Sequence, residues 1–480
     1  MTILVIDVGT SSLRAAAVRE DATILSELQQ PLLPSTPAAG LVEFDAGEMA
    51  RVALDLARRV LAEHGPVDAV GVTNQRASTI VWDRATGEPV GPGLGWQDLR
   101  TVGTCLVMQA EGLHFAPNAS ATKIAHLLDE ADPERTRDLC VGTVDSWIAW
   151  HLSEGALHVT DATNAGLTGL MVGDGSDWHE PALTALRIDR SSLPRVVDTT
   201  GVLGPATALD GAPPIAALVG DQQSSLVGQG GVARGNAKIT FGTGGMLDLH
   251  LGEARPQFER QGSGGCFPIV CWRKDGVTTW GVEAVMLSAG TNVEWLRDDL
   301  GIIATAAESH EVASRCETAD GVVYVPALLG LGTPRWDYGA RGTLLGLTRG
   351  SERPQIVRAV LEGVAQRGAD LVEAAETDAG IDVPALRVDG GMTDNPTFVQ
   401  ALADATQRPV EVSPVTEATT MGAAFLAGLA VGTWSGWDDI AATWKPRTVV
   451  EPGAPLDRER WRQAVDRAAA WFPELSSLSF

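Results

Sequence analysis

Three short stretches of the chain combine residue types that can handle phosphate. Asp7 ends an apolar run and is followed by Gly9, Thr10, Ser11 and Ser12. Such a turn offers consecutive backbone N–H groups and hydroxyls, and its glycine lets a ligand come close, so it can cradle phosphate oxygens. A carboxylate at the end of the preceding strand is placed to hold Mg²⁺ through water beside those oxygens. The same pattern also occurs as a simple turn. Asp221 is the second candidate, between the apolar run Pro213 to Gly220 and the helix-like QQSSLVGQ. It reads either as a helix cap or as a base that takes the proton of a substrate hydroxyl during phosphoryl transfer, with Gln222 positioning that substrate. Third, VDGGMTDN from Val388 to Asn395 gives a strand, a Gly-Gly turn and a helix start. Its backbone can approach an α-phosphate, and Asn395 a ribose or base.

Other chemistries lack their residues. There is no Gly-Lys-Ser/Thr of a Walker A loop and no GxGxxG after a strand with a later acidic residue, which removes P-loop and dinucleotide readings. The histidines form no HxxxH or HxxEH pair, and His158 and His250 read as strand or loop residues. The five cysteines form no CxxC pair and no disulfide framework. Trp147, Trp150, Trp178, Trp434 and Trp437 read as packing residues.

The elements that must position these groups alternate between short apolar strands and amphipathic helices, an α/β pattern. Ile3 to Asp7 pairs with Arg14 to Val18 as a hairpin across GTSSL. Met49 to Glu63 is a helix with Val52, Leu56 and Val60 on one face, and Val67 to Thr73 is the next strand. Thr122 to Glu130 and Ser146 to Leu152 are further helices, and DRERWRQAVDRAAAW closes the chain as a surface helix. A glycine-rich break from Gly228 to Gly235 separates two halves of similar length. NAKITFGTGGMLDLHLG then echoes the opening ILVIDVGTSSLRAAAV, with Gly242-Thr243 matching Gly9-Thr10. The expected organisation is two similar domains, residues 1–230 and 231–480, facing each other across a cleft.

Composition agrees with a globular chain: 480 residues, 44% hydrophobic and 20% charged. Lys+Arg 36 against Asp+Glu 61 gives −25, a field that repels phosphate backbones and anionic lipid, so neither a nucleic-acid partner nor membrane insertion is expected. No apolar run reaches the length of a membrane span. The N-terminus lacks the basic start and long apolar core of a signal peptide, and with the scattered cysteines this points to a reducing cytoplasm.

Across almost its whole length the chain resembles the FGGY carbohydrate kinases, and within that family the glycerol kinases. The resemblance rests on DVGTSSLR, GVTNQRASTIVWDRATGEPV, WQDLRT, GTVDSWIAWHLSEGALHVTDATNA, GDQQSSLVGQ, FGTGG, LGLGTPRWDYGARGTLLGLTRG, RVDGGMTDN and TTMGAAFLAGLAVGTW. It implies two actin-like (ribonuclease H-like) ATPase domains, use of ATP and Mg²⁺, a small polyol or sugar as partner, and a homo-oligomer, a dimer in the family. It also implies residue roles. Asp7 and Asp221 would serve Mg²⁺, and Asp221 would be the general base. Thr10, Ser11, Ser12 and Arg14 would meet the β- and γ-phosphates. Thr243, Gly290, Gly391 and Asn395 would hold ATP from the second half, while Arg76, Trp96 and Gln222 would line the acceptor pocket.

Three departures from the glycerol kinase pattern fall on that pocket. Ala77 stands where NQRE has its glutamate, and Asn118 and Met246 stand where aromatic residues are usual. Loss of a carboxylate and two flat walls predicts an acceptor larger than glycerol, a four- or five-carbon polyol or ketose. A true glycerol kinase is the alternative, and a chaperone-like or filament-forming ATPase on the same fold is the rival from another class.

Overall fold

The computed structural model describes every residue except 174, 176, 415, 416, 479 and 480. Its first sheet is built around β1 (Thr2–Val8), β2 (Ser12–Arg19) and β3 (Ile24–Pro31), which form an antiparallel meander. On the other side of β1 lie the parallel strands β4 (Ala69–Asn74) and β5 (Pro214–Gly220). The order is β3-β2-β1-β4-β5, with Thr200–Pro205 added at the edge. β1 reads as a continuous apolar run because both faces are covered. Leu4, Ile6 and Val8 pack with helix α1 (Ala46–His64), and Ile3 and Val5 face the other way. Asp45 caps α1 by accepting the Glu48 N–H at 2.8 Å. Leu56 and Val60 on its apolar stripe are buried, each contributing on the order of 1.5–3 kcal/mol.

Helix α2 (Asp221–Gly228) follows β5. The second half then opens with β6 (Ala237–Phe241), β7 (Gly245–Gly252) and β8 (Val277–Met286). After helix α3 (Arg353–Ala379) come β9 (Leu386–Asp389), helix α4 (Pro396–Thr406), β10 (Val410–Val412) and helix α5 (Ala418–Val431). The sheet order is β8-β7-β6-β9-β10, flanked by Phe267–Lys274 and Thr448–Val450. β6 to β8 are antiparallel, and β6, β9 and β10 are parallel. Both halves therefore share one topology, an antiparallel triplet followed by two parallel strands, and the Gly-Thr turns occupy the same place in each.

Residues 75–213 are an insertion between β4 and β5. It carries three strands, Gly93–Leu94, Thr79–Asp83 and Leu139–Thr143, of a four-stranded antiparallel sheet that Glu43–Phe44, from before α1, completes. Among the described residues no helix is long and apolar enough to cross a membrane.

α5 belongs by sequence to the second half but covers the outer face of the first sheet, where Met421, Ala423, Phe425 and Leu426 pack with Val5 and Val219. The approach is close enough to need glycine: a Cβ on Gly71 of β4 would lie 2.6 Å from the Ala423 carbonyl oxygen. α5 also crosses α2 backbone to backbone, Gly422 against Ser224 and Gly228 against Ala418. A methyl group at this crossing has nowhere to go. Gly422→Ala is expected to destabilise by about 1–3 kcal/mol, the usual scale of overpacking. Gly103→Ala, in the helix Val102–Ala110 with open space around it, is expected to be neutral or to stabilise by up to ~1 kcal/mol. Thermal midpoints of the two variants check this, and equal midpoints would count against the tight crossing.

Candidate active site

The turn from β1 to β2 is closed by the Gly9 N–H donating to the Ser12 carbonyl at 3.0 Å. Two loops of the insertion are tied to it: Gln75 Nε2 donates to the Gly9 carbonyl at 3.1 Å, and Trp96 Nε1 to Thr10 Oγ1 at 3.2 Å. Ser11 is exposed, and the Ser12 hydroxyl accepts from Gln29 Nε2 at 2.9 Å. Arg14 lies opposite Asp7 in the hairpin register. Its guanidinium meets three carboxylates, Asp7 at 3.8 Å, Glu27 at 3.1 Å, and Glu417 from the second half. In this arrangement it is held by acidic groups, which a phosphate would have to displace.

Ala77, Trp96 and Asn118 lie on three loops braced against one another. Ala77 has φ of 60°, a left-handed conformation unusual for a residue with a Cβ. Ser120 Oγ donates to the Ala77 carbonyl at 3.0 Å, and the Trp96 N–H donates to Ser78 Oγ at 3.0 Å. Buried Lys123 joins the other two loops, donating to the Trp96 carbonyl at 3.2 Å and the Asn118 carbonyl at 2.8 Å. Burial pulls its ammonium down to about 7.

Asp221 is the first residue of α2, and Gly220 occupies the N-cap position. The carboxylate does not cap the helix in the ordinary way. Among the described residues Oδ1 accepts only the neighbouring Gln222 N–H, at 2.8 Å, and it faces Arg76 Nε at 3.3 Å. Burial raises its pKa above the ordinary carboxylate value, with Arg76 pulling the other way. Arg76 also reaches Glu283 Oε2 at 2.7 Å, Gln223 Oε1 at 3.3 Å and Met246 Sδ at 3.8 Å. The absence of a carboxylate at Ala77 therefore does not leave Arg76 without an acidic partner, because Glu283 on β8 supplies one from the second half.

Glu283 belongs to a row of charges across the second sheet. It lies opposite Asp248, which lies opposite Lys238, which lies opposite Arg387. Lys238 and Asp248 are fully buried and 2.8 Å apart. Lys238 Nζ also donates to Gln222 Oε1 at 2.7 Å, and Arg387 Nη1 to the Gln229 carbonyl at 2.6 Å. The row thus meets the first half at Arg76, Gln222 and Gln229. Burial pushes the Glu283 carboxyl up to about 7, with Arg76 opposing and Asp248 adding to the rise. The residue-type reading missed Glu283, Asp248 and Lys238. Their signal was present as single charges inside otherwise apolar strands, which only a known register lines up.

Around the second Gly-Thr turn, the Thr243 carbonyl accepts the Ala289 N–H at 2.8 Å, and the Gly290 N–H donates to the Gly242 carbonyl at 2.9 Å. A Cβ at Gly290 would sit 2.6 Å from that carbonyl oxygen, whereas a Cβ at Gly391 would meet open space. Gly390, with φ of 91°, turns the chain against the end of β6. Thr243, Gly290 and Gly391 are therefore brought to one place. Asn395 lies beside them, with its amide engaged by the protein. Oδ1 accepts the Phe398 N–H at 3.1 Å as the cap of α4, and Nδ2 donates to Ser309 Oγ at 2.9 Å.

Asp7 and Asp221 are close enough for the charge on Asp221 to help raise Asp7. Among the described residues no group of three or more His, Cys, Asp or Glu could hold a metal ion. Two neighbouring carboxylates fit Mg²⁺, which binds one or two carboxylates and takes its other oxygens from phosphate and water.

Burial pushes the Asp7 carboxyl from its ordinary 3.8 up to about 7. Between those values the folded chain keeps a proton that the unfolded chain has lost. Its contribution to stability is therefore present at low pH and fades as pH rises through about 7. Asp7→Asn is expected to raise the thermal midpoint of the ligand-free protein at pH 8, with the gain shrinking towards pH 4. An equal shift at both pH values would contradict this account of Asp7.

Comparison with known proteins identifies the family. The model described as FGGY family of carbohydrate kinases, N-terminal domain, matches residues 2–228, and that of the C-terminal domain matches 237–431. The glycerol kinase of Aromatoleum aromaticum is 41% identical over 98% of this chain and 99% of that protein, and that of Deinococcus radiodurans 39% over 98% of each. The crystal structure of Plasmodium falciparum glycerol kinase with ADP superposes with a TM-score of 0.90 at 30% identity, covering 97% of this chain and 98% of that one. A xylulose kinase from Brucella ovis, at 23% identity, shares the fold over 100% of both chains with a TM-score of 0.86. With both domain models matched in order and relatives aligned end to end, the chain belongs to the FGGY family of carbohydrate kinases, phosphotransferases with an alcohol group as acceptor.

Proposed function

We propose that this chain transfers the γ-phosphoryl group of ATP to a primary hydroxyl of glycerol, with Asp221 as the general base. The observation that carries the reading is the Asp221–Arg76 pair at the start of α2. It sets a carboxylate with a raised pKa beside a cation in the cleft that the β1–β2 turn also borders. In this mechanism Asp221 takes the proton of the acceptor hydroxyl while its oxygen attacks the γ-phosphorus in line and the bond to the ADP oxygen breaks. Arg76 orients the acceptor and is itself held by Glu283. Thr10, Ser11 and Ser12 cradle the β- and γ-phosphates, and Thr243, Gly290, Gly391 and Asn395 border the rest of the nucleotide. Asp7 and Asp221 would hold Mg²⁺, which when bound neutralises charge on the phosphates. Five cysteines without disulfides fit a cytoplasmic enzyme.

The choice of glycerol corrects the sequence-based expectation of a larger acceptor. Relatives named glycerol kinase align over nearly the whole chain at about 40% identity, and Glu283 keeps a carboxylate beside Arg76 despite Ala77. One observation still favours a second reading, a four- or five-carbon polyol or ketose: Ala77, Asn118 and Met246 replace three larger or charged groups around one pocket.

Two measurements test these readings. Asp221→Asn is expected to lose about 10²–10⁴ in rate while ATP still binds, and near wild-type turnover would remove Asp221 as the base. Comparing kcat/KM for glycerol, erythritol, threitol, xylitol and xylulose decides the acceptor: glycerol is expected to lead, and a better value for a longer substrate would establish the second reading. ATP hydrolysis at the same rate without any acceptor would instead favour the chaperone-like rival.

A further inference from the structure

In the insertion, two carboxylates that the mechanism does not use come together: Asp161, at the junction of the short strand Val159–Asp161 and the helix Ala162–Ala165, and Asp145, in the first turn of the helix Val144–Leu152. Asp145 and Asp161 are fully buried, and neither forms an ion pair among the described residues. Burying a carboxylate away from any cation is costly. A four-residue helix needing only a cap could be served by serine or asparagine.

Asp161 does more than cap. Its carboxylate accepts the N–H groups of Thr163 at 2.9 Å and Asn164 at 3.0 Å. It also accepts three side-chain donors: Thr163 Oγ1 at 2.8 Å, Asn164 Nδ2 at 2.9 Å and Thr199 Oγ1 at 2.7 Å. Two of these continue outward. With its proton committed to Asp161, Thr163 Oγ1 accepts the Gly220 N–H at 2.8 Å. Gly220 ends β5 and immediately precedes Asp221. Asn164 and Asn74 exchange amide hydrogen bonds at 2.9 and 3.2 Å, and Asn74 Nδ2 also donates to the Gln75 carbonyl at 2.8 Å, one residue before Arg76. Gly220 and Asn74 are register partners at the ends of β5 and β4. Asp145 secures the hub from behind, accepting the Asp161 N–H at 2.9 Å and Thr160 Oγ1 at 2.8 Å.

We propose that Asp161 is a positioning residue that sets Asp221 through Thr163 and Gly220, and Arg76 through Asn164 and Asn74, so that one buried carboxylate fixes the spacing of the base and the acceptor-binding arginine. This rests on the reading of Asp221 as the base. The hydrogen bonds leave the hub in two directions, so each branch has its own kinetic signature.

Thr163→Val keeps the shape and removes the hydroxyl, leaving the Gly220 N–H unpaired. With MgATP and glycerol or xylulose, whichever turns over faster, kcat is expected to fall at least tenfold with KM for ATP within twofold. Thr163→Ser, which keeps the hydroxyl, is expected to recover most of the rate. Asn74→Ala tests the other branch and is expected to raise the acceptor KM at least threefold with KM for ATP unchanged. Thermal midpoints measured alongside separate positioning from folding: if the variants only melt earlier while folded protein keeps wild-type kcat and acceptor KM, the proposal is overturned. If Thr163→Val does not fold, Asn74→Ala decides alone. Asp221→Asn run in parallel distinguishes the two levels. An inactive Asp221→Asn with a fully active Thr163→Val overturns the positioning role only, whereas an active Asp221→Asn overturns the base assignment and this inference with it.

Discussion

The interface between the halves is governed by the need to pair buried charge. Lys238 and Asp248 have no access to solvent, and Glu283 and Arg387 continue their row across the second sheet. A buried ion left alone is strongly destabilising, so each member must find a partner of fixed geometry. Lys238 and Asp248 pair with each other, and Arg387 with Glu411, inside the second half, but further partners come from the other half. Arg76 answers Glu283, Gln222 answers Lys238, and the Gln229 carbonyl answers Arg387. All three lie on the loop after β4 or on and just beyond α2, the segments that also carry the candidate chemistry. The electrostatic seam between the domains and the candidate acceptor site are therefore one construction.

Much of the scaffold was legible in the amino-acid order because it follows from local rules. A β-branched run ending in Asp7 before a Gly-Thr turn forms the first hairpin, and its echo at Gly242-Thr243 forms the second. Asp221 at the junction of an apolar strand and a helix was visible as a carboxylate with a choice of roles, and the Gly220 cap narrows that choice. Asn395 before Pro396 is a helix start, which is the job its side chain performs.

What was not legible depends on which strands end side by side. Lys238, Asp248 and Glu283 are isolated charges in apolar strands until the pairing of β6, β7 and β8 puts them in register. Ala77 looked like an emptied site because the carboxylate that now faces Arg76 comes from a strand more than two hundred positions away. Arg14 read as a phosphate ligand, and its ion pair with Glu417 reaches across nearly the whole chain. Asp161 lay inside a matched stretch, but its importance appears only when β4 and β5 are seen to finish beside Thr163 and Asn164.

The crossing of α2 and α5 bears on how such a cleft can open. Contacts of glycine on backbone, Gly422 on Ser224 and Gly228 on Ala418, leave no slack for sliding, and Ser224 Oγ adds a 2.6 Å bond to the Thr419 carbonyl. Separation would tear these contacts, whereas a turn about them would keep them nearly intact. The crossing is therefore a pivot rather than a seam, and because Asp221 begins one of its two helices, the candidate base lies close to the axis. Residues far from that axis would travel through the longest arc, and those near it would hardly move. A small twist at the helices would then be magnified at the Gly-Thr turns while the candidate base kept its station.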